Sequence, residues 1–229
     1  MLQLFFVDDL NNPKLTDENA HHADRVLRMV AGEFLLTSDG QGNWAKCQIK
    51  SISKREVDLE VMERGQEPPM QSQISVVQAL PKSDRAKEAV ELLTASGVFE
   101  IYPWQANRSI GKDSQKWETS ALEAAKQSRR FTIPIVHKLM ETKEILALFN
   151  DFDQVLICHE SADTQISQVV KAAAKTLIII GPEGGISEAE LAQFQAAGGA
   201  LIKLGRPVLR SAHAGIAAVS AVSALMKVW

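Results

Sequence analysis

From Thr176 to Ile180 the chain runs Thr-Leu-Ile-Ile-Ile, and then turns at once into Gly181-Pro182-Glu183-Gly184-Gly185. Aliphatic residues without alternation form a strand buried on both faces, so a layer must cover each side of its sheet. Ser187 followed by Glu190 is a capping box, which starts a helix directly after the glycine-rich turn. A buried strand, a glycine turn and a helix N-terminus together present backbone N–H groups at a strand end, the usual ligand position in α/β proteins.

By itself this stretch is compatible with a tight turn as well as with a ligand loop. A second loop of the same style shifts the balance. After Leu201-Ile202-Lys203-Leu204 comes Gly205-Arg206-Pro207-Val208-Leu209-Arg210, so two such loops follow two strands. One shared pocket is expected. Neither G-x-x-x-x-G-K-[ST] nor G-x-G-x-x-G is present, and Glu183 would repel a pyrophosphate. A ligand with a positive centre suits the loop better.

Strands and helices alternate from residue 71 onward, which predicts a mainly parallel sheet covered by helices. Strands are expected at Ile74–Leu80, at Val98–Tyr102 closed by Pro103, at Gln154–Cys158 and near Leu201. Helices are expected from a Ser83–Asp84 cap to Ser96, over Lys116–Arg129, over Gln165–Lys175, and from about His213, where small apolar residues predict a buried helix. Residues 1 to 70 read differently. Leu2–Val7, Glu33–Thr37, Trp44–Ser51 and Val57–Met62 are strand-like, and Ser38–Asn43 carries hairpin chemistry. Thr16 or Asp17 could cap a short helix with Ala20, Val26 and Met29 inward. Glu63–Pro69 reads as the linker that ends a small β-rich domain.

The net charge of −3 leaves any nucleic-acid partner to local basic patches. His21-His22 with Arg25 and Arg28 is compatible with a phosphate-contacting patch or with a solvated helix face. Lys82, Arg85, Arg108, Lys112, Lys116, Lys126, Arg129 and Arg130 follow strand ends and suggest a nucleic-acid-facing rim. Cys47 and Cys158 lack metal-type spacing and are expected to be reduced buried thiols; no metal is expected. The N-terminal apolar run is too short for a signal peptide and no run suits a bilayer span, so a cytoplasmic location is expected.

GPEGG after a buried strand, LG-x-x-x-LR one strand later, HH-x-x-x-VLR near the N-terminus, Asn107-Arg108-Ser109 and Ala124–Arg130 together resemble the RsmE family over essentially the whole chain. These are 16S rRNA uridine-N3 methyltransferases of the SPOUT superfamily. The resemblance implies a PUA-like β-barrel for RNA docking over 1–70. It implies an α/β trefoil-knotted methyltransferase domain over 71–229, and a homodimer. It implies S-adenosyl-L-methionine (SAM) as methyl donor, held by Ile157, by Gly181, Pro182, Glu183, Gly184 and Gly185, and by Leu204, Gly205, Val208 and Leu209. Arg210 and Arg130 become the catalytic candidates, and His22, Arg25, Arg28 and Arg108 the RNA contacts.

The family pattern LG-x-R-x-LR-T-E-T-A reads here LG-R-P-V-LR-S-A-H-A, with Pro207 at the usual arginine and Ala212 at the usual glutamate. Two alternatives therefore stay open. One is a SPOUT methyltransferase acting on another RNA position; the other is an RNA-binding or ribosome-assembly protein that has lost catalysis.

Overall fold

A computed structural model describes residues 2–229, with Ser83 and Asp84 described by their backbone alone. The chain divides into two compact units: residues 1–69 with 125–133, and residues 70–124 with 134–229.

The first unit is a five-stranded sheet. Its strands are β1 (Leu4–Phe6), β2 (Lys14–Thr16), β3 (Phe34–Ser38), β4 (Asn43–Ile52) and β5 (Glu56–Gln66), in the order β1-β3-β4-β5-β2. Phe5, Leu15, Leu35, Ala45, Ile49 and Val57 fill its core. The expected hairpin joins β3 to β4. The expected linker is a strand for its first four residues, since β5 continues through Gly65 to Gln66. The reason is Trp44, whose indole lies across Gly65 and stacks on Phe131 at 5.6 Å. A Cβ on Gly65 would come within 2.2 Å of that ring. The glycine is there to let the indole in.

Helix α1 (Asp17–His21) is followed by a π-helical turn over His22–Val26, in which the Leu27 N–H donates to the His22 carbonyl. The wider turn shifts the phase of every later side chain. Val26, expected inward, is therefore 60% exposed, while Ala20 and Ala23 are buried. Arg28 falls beyond the helix with φ +53, so it does not share a helical face with Arg25.

The second unit is a parallel sheet. Its strands are β6 (Gln73–Ala79), β7 (Glu100–Gln105), β8 (Ile135–Val136), β9 (Met140–Glu141), β10 (Gln154–Cys158), β11 (Lys175–Ile180) and β12 (Ala200–Ile202). The order is β12-β10-β11-β6-β7-β8, with β9 also on β7, and every pairing is parallel. The helices are α2 (Ser83–Ala95), α3 (Trp117–Ser128), α4 (Thr142–Ala147), α5 (Ile166–Val169), α6 (Glu188–Ala196) and α7 (Ser211–Leu225). α3 enters the first unit's residues at Ala125.

β11 is buried from Thr176 to Ile180, with apolar clusters on both faces, as its unalternating sequence requires. The strand expected to stop at Pro103 runs on to Gln105. Ile101 accepts from His137 on the β8 side, so Pro103, two residues on, points the same way. It falls between the β8 pairing at Ile101 and the β9 pairing at Trp104, where no ladder N–H is needed.

The helix expected over Gln165–Lys175 lasts only to Val169. The Gln154 side chain captures the Lys171 backbone, donating to its carbonyl at 2.9 Å and accepting its N–H at 3.2 Å. Gly97, at φ +87, follows α2 as expected. The expected Ser83–Asp84 cap lies outside the described side chains. No described helix is long and apolar enough to cross a membrane.

Candidate active site

Parallel strands end at one edge of their sheet, and adjacent strands lie about 4.8 Å apart. β12, β10 and β11 are neighbours, so the loops that follow them must converge. They enclose a cavity of about 330 Å³. Cys158, His159 and Glu160 come from the first loop, Ile180–Glu183 with Gly185 and Ile186 from the second, and Lys203–Arg210 from the third. Ser211 and Ala214, at the start of α7, close it.

Hydrogen bonds set the relative positions of these loops. The Ser211 hydroxyl donates to the Gly181 carbonyl at 2.7 Å and accepts from Gln78 Nε2 at 2.9 Å, tying the glycine loop to α7 and β6. Glu183 Oε1 accepts the Lys82 N–H at 3.2 Å. The Ser187 hydroxyl accepts from the Glu190 N–H, and Glu190 reaches back to the Ser187 N–H, so the expected capping box is formed.

Glu190 does more than cap. One carboxylate oxygen accepts the Ser187 N–H and hydroxyl, and the other accepts the Asn107 N–H at 2.8 Å and the Thr142 hydroxyl at 3.0 Å. Burial alone would raise its pKa, but the hydrogen bonds from Ser187, Asn107 and Thr142 outweigh it and hold the carboxyl below its ordinary 4.5. The folded pKa is depressed, so this group stabilises the fold above pH 4.5 and loses that contribution as pH falls through its folded value. Acid unfolding of the second unit, followed by near-ultraviolet circular dichroism, is therefore expected to begin below the ordinary carboxylate range. E190Q should flatten that limb.

The sequence-derived cofactor residues divide as follows. Gly181, Pro182, Glu183, Gly185, Leu204, Gly205, Val208 and Leu209 line the cavity, and so does Arg210. Ile157 does not line it: its side chain is fully buried among Phe194, Leu177 and Ile179, and the next residue, Cys158, faces the cavity instead. Strand alternation dictates this choice. Gly184 backs onto Arg108, whose Nη1 donates to the Gly184 carbonyl at 3.1 Å. Burial pushes the Cys158 thiol up to about 12, which leaves it a poor nucleophile.

Arg130, in the first unit, has its pKa pushed down to about 10 by burial. His22, Arg25 and Arg28 belong to that same unit and are exposed; His22 meets Phe5 edge-on, and Arg25 pairs with Asp24 at 3.1 Å. His213 pairs with Glu88 at 3.0 Å and does not line the cavity. Sequence reasoning passed over Lys203, Ser211 and the reach of Glu190, because each acts through residues distant in the chain.

Residues 67–223 match the RNA methyltransferase domain family, and residues 15–62 match the RNA methyltransferase PUA domain. A Mycobacterium bovis protein described as ribosomal RNA small subunit methyltransferase E is 34% identical over 243 residues, covering 99% of this chain and 93% of the relative. The chain belongs to that family. The Bacillus subtilis member is 31% identical over 228 residues, covering 91% of this chain and 88% of its own. The crystal structure of the Neisseria gonorrhoeae member, bound to S-adenosyl methionine, superposes with a TM-score of 0.89 over 98% of both chains at 23% identity. The expected fold class, a PUA-like domain before an α/β methyltransferase domain, is thus the fold of this family.

Proposed function

We propose that this chain transfers the methyl group of SAM to N3 of a uridine in 16S rRNA. The convergence of three strand-end loops on one cavity carries this reading. Its volume lies at the small end of the range for ligand pockets, about 300–1,000 Å³. Its wall also suits a zwitterion that carries a sulfonium. Glu160 and Glu183 can meet the positive centres of such a ligand, Lys203 and Arg206 can take its carboxylate, and Ile180, Ile186 and Leu204 supply apolar surface. SAM would supply an electrophilic methyl group. N3 would give up its proton to solvent and take the methyl group as the methyl–sulfur bond breaks; the chain's part is to hold donor and uridine in line, and to place a cation where the pyrimidine anion develops. Arg210 is the residue in the cavity wall suited to that last task.

The reading includes a homodimer with a trefoil knot in the methyltransferase domain, RNA docking by residues 1–70, methyl transfer by 71–229, and a cytoplasmic location. His22, Arg25, Arg28 and Arg108 are its RNA contacts and Arg130 a second catalytic arginine. Incubating purified protein with labelled SAM and small-subunit RNA or subunits from a deletion strain should label one uridine. Nucleoside mass spectrometry should identify the product as N3-methylated. Labelling of another nucleotide would reassign the target, and no SAM binding by calorimetry would reject the reading.

Ala212 supports weighing a second reading. It stands where the family has a glutamate and is 1% exposed, so nothing at that position presents a charge. An assembly protein without catalysis would bind RNA but not turn over. Under either reading, R25A and R28A should each weaken RNA binding across sequences, and each should lower the slope of log affinity against log salt by about 1. Filter binding over a salt series measures both.

A further inference from the structure

Three chain segments meet on the Glu190 carboxylate. Ser187 precedes α6 at the end of the glycine loop, Thr142 begins α4, and Asn107 sits in the turn after β7. Trp104 Nε1 in turn donates to the Thr142 hydroxyl at 3.1 Å, which holds that hydroxyl's proton toward Glu190. Glu190 is 6% exposed and accepts four hydrogen bonds, a full complement for a carboxylate. Such a site leaves the acceptor no freedom to shift.

The Asn107 contact has a consequence one residue later. Arg108 is exposed, yet its position is fixed, because the turn before it is bolted to Glu190 and its Nη1 donates to the Gly184 carbonyl at 3.1 Å. A Cβ on Gly184 would meet the Arg108 Cβ at 3.2 Å, so the glycine is what lets the two loops touch. A guanidinium has five N–H donors, and the contact with Gly184 takes one. The remaining face of Arg108 is held on the outer side of the loop whose inner side lines the cavity.

We propose that Glu190 is a positioning residue for the methyl-transfer reaction: it clamps the Arg108 turn onto the glycine loop and so presents the Arg108 guanidinium to the RNA backbone beside the cofactor cavity. This rests on the RNA-methyltransferase reading above. Phosphate is the chemistry a pre-oriented guanidinium takes, by paired N–H contacts.

In E190Q the size is kept, but an amide N–H₂ is turned toward N–H and O–H donors. Losing charge-assisted acceptance here should raise the KM for RNA by about tenfold or more. R108A should raise it by a similar factor while leaving SAM affinity unchanged. The deciding result is the double variant: with Arg108 gone, E190Q should add little further to the RNA KM. A core variant of matched melting temperature, Leu93→Ala, controls for general destabilisation and should leave the RNA KM alone. An unchanged KM in E190Q, or effects that multiply in the double variant, would overturn the proposal. If E190Q does not fold, T142V removes one donor to the same oxygen. Its KM rise should then vanish in the R108A background, and no rise or an equal rise in both backgrounds rejects the idea. Wild-type turnover is measured first, so absence of any methyl transfer points to the parent reading and not to this one.

Discussion

Gly181→Val is expected to weaken SAM binding by about a hundredfold, the sum of an overpacked wall and a displaced loop, with about 1–3 kcal/mol from overpacking alone. A Cβ at Gly181 would stand 2.7 Å from Ile186 Cγ1, and Ile186 is part of the cavity wall. Moving Ile186 moves the surface that meets the ligand. Moving Gly181 itself breaks the bond its carbonyl accepts from Ser211, which ties the glycine loop to α7. Calorimetric titration of SAM measures the effect, and an unchanged urea midpoint would show that the loss is local. Wild-type affinity in this variant would mean that the cavity is not the donor site.

The largest stability change should come from Trp104→Ala. Trp104 is fully buried in the second unit, packs edge-to-face on Phe194 at 5.3 Å, and donates to Thr142. Truncating a buried tryptophan costs about 3–5 kcal/mol. Here the loss of its N–H also frees the hydroxyl that supports Glu190. Urea unfolding should show a lower midpoint with an unchanged slope. Trp104→Phe should recover most of the packing and none of the hydrogen bond. The difference between the two variants therefore measures the ring packing, and the loss that remains in Trp104→Phe against the wild type measures what the bond to Thr142 contributes.

These two residues also mark how far the chain could be read without its structure. Gly181 stood out because strand, turn and capping box are adjacent in sequence, and each is a local rule. The same holds for the Ser38–Asn43 hairpin and the Gly97 stop, which the structure contains. Trp104 did not stand out, since its importance comes from Phe194 and Thr142, neither near it in the chain. Local rules also failed where a distant side chain intervened. Gln154 unwound the helix expected beyond Val169, and Trp44 drew the apparent linker at Gly65 into β5.

Ile157 shows the same division at the scale of one residue. The resemblance put Ile157, on the strand that ends at Cys158, at the cofactor; the structure puts Cys158 and the loop after it in the cavity wall. Which of the strand's side chains turned inward depended on the phase of the pleat against β11 and β12, and that is a property of the assembled sheet.

The amino-acid sequence alone determined the buried strand, the two glycine-bearing loops, the helix start at Ser187 and the family, because periodicity, turn chemistry and motif spacing are local. Only the tertiary structure decided that β12, β10 and β11 lie side by side, bringing their loops to one cavity, and that a capping glutamate also reaches the turn carrying Arg108. Those facts depend on strand order and on hydrogen bonds between distant segments, 83 residues apart from Asn107 to Glu190 and 133 from Gln78 to Ser211, which no local pattern encodes.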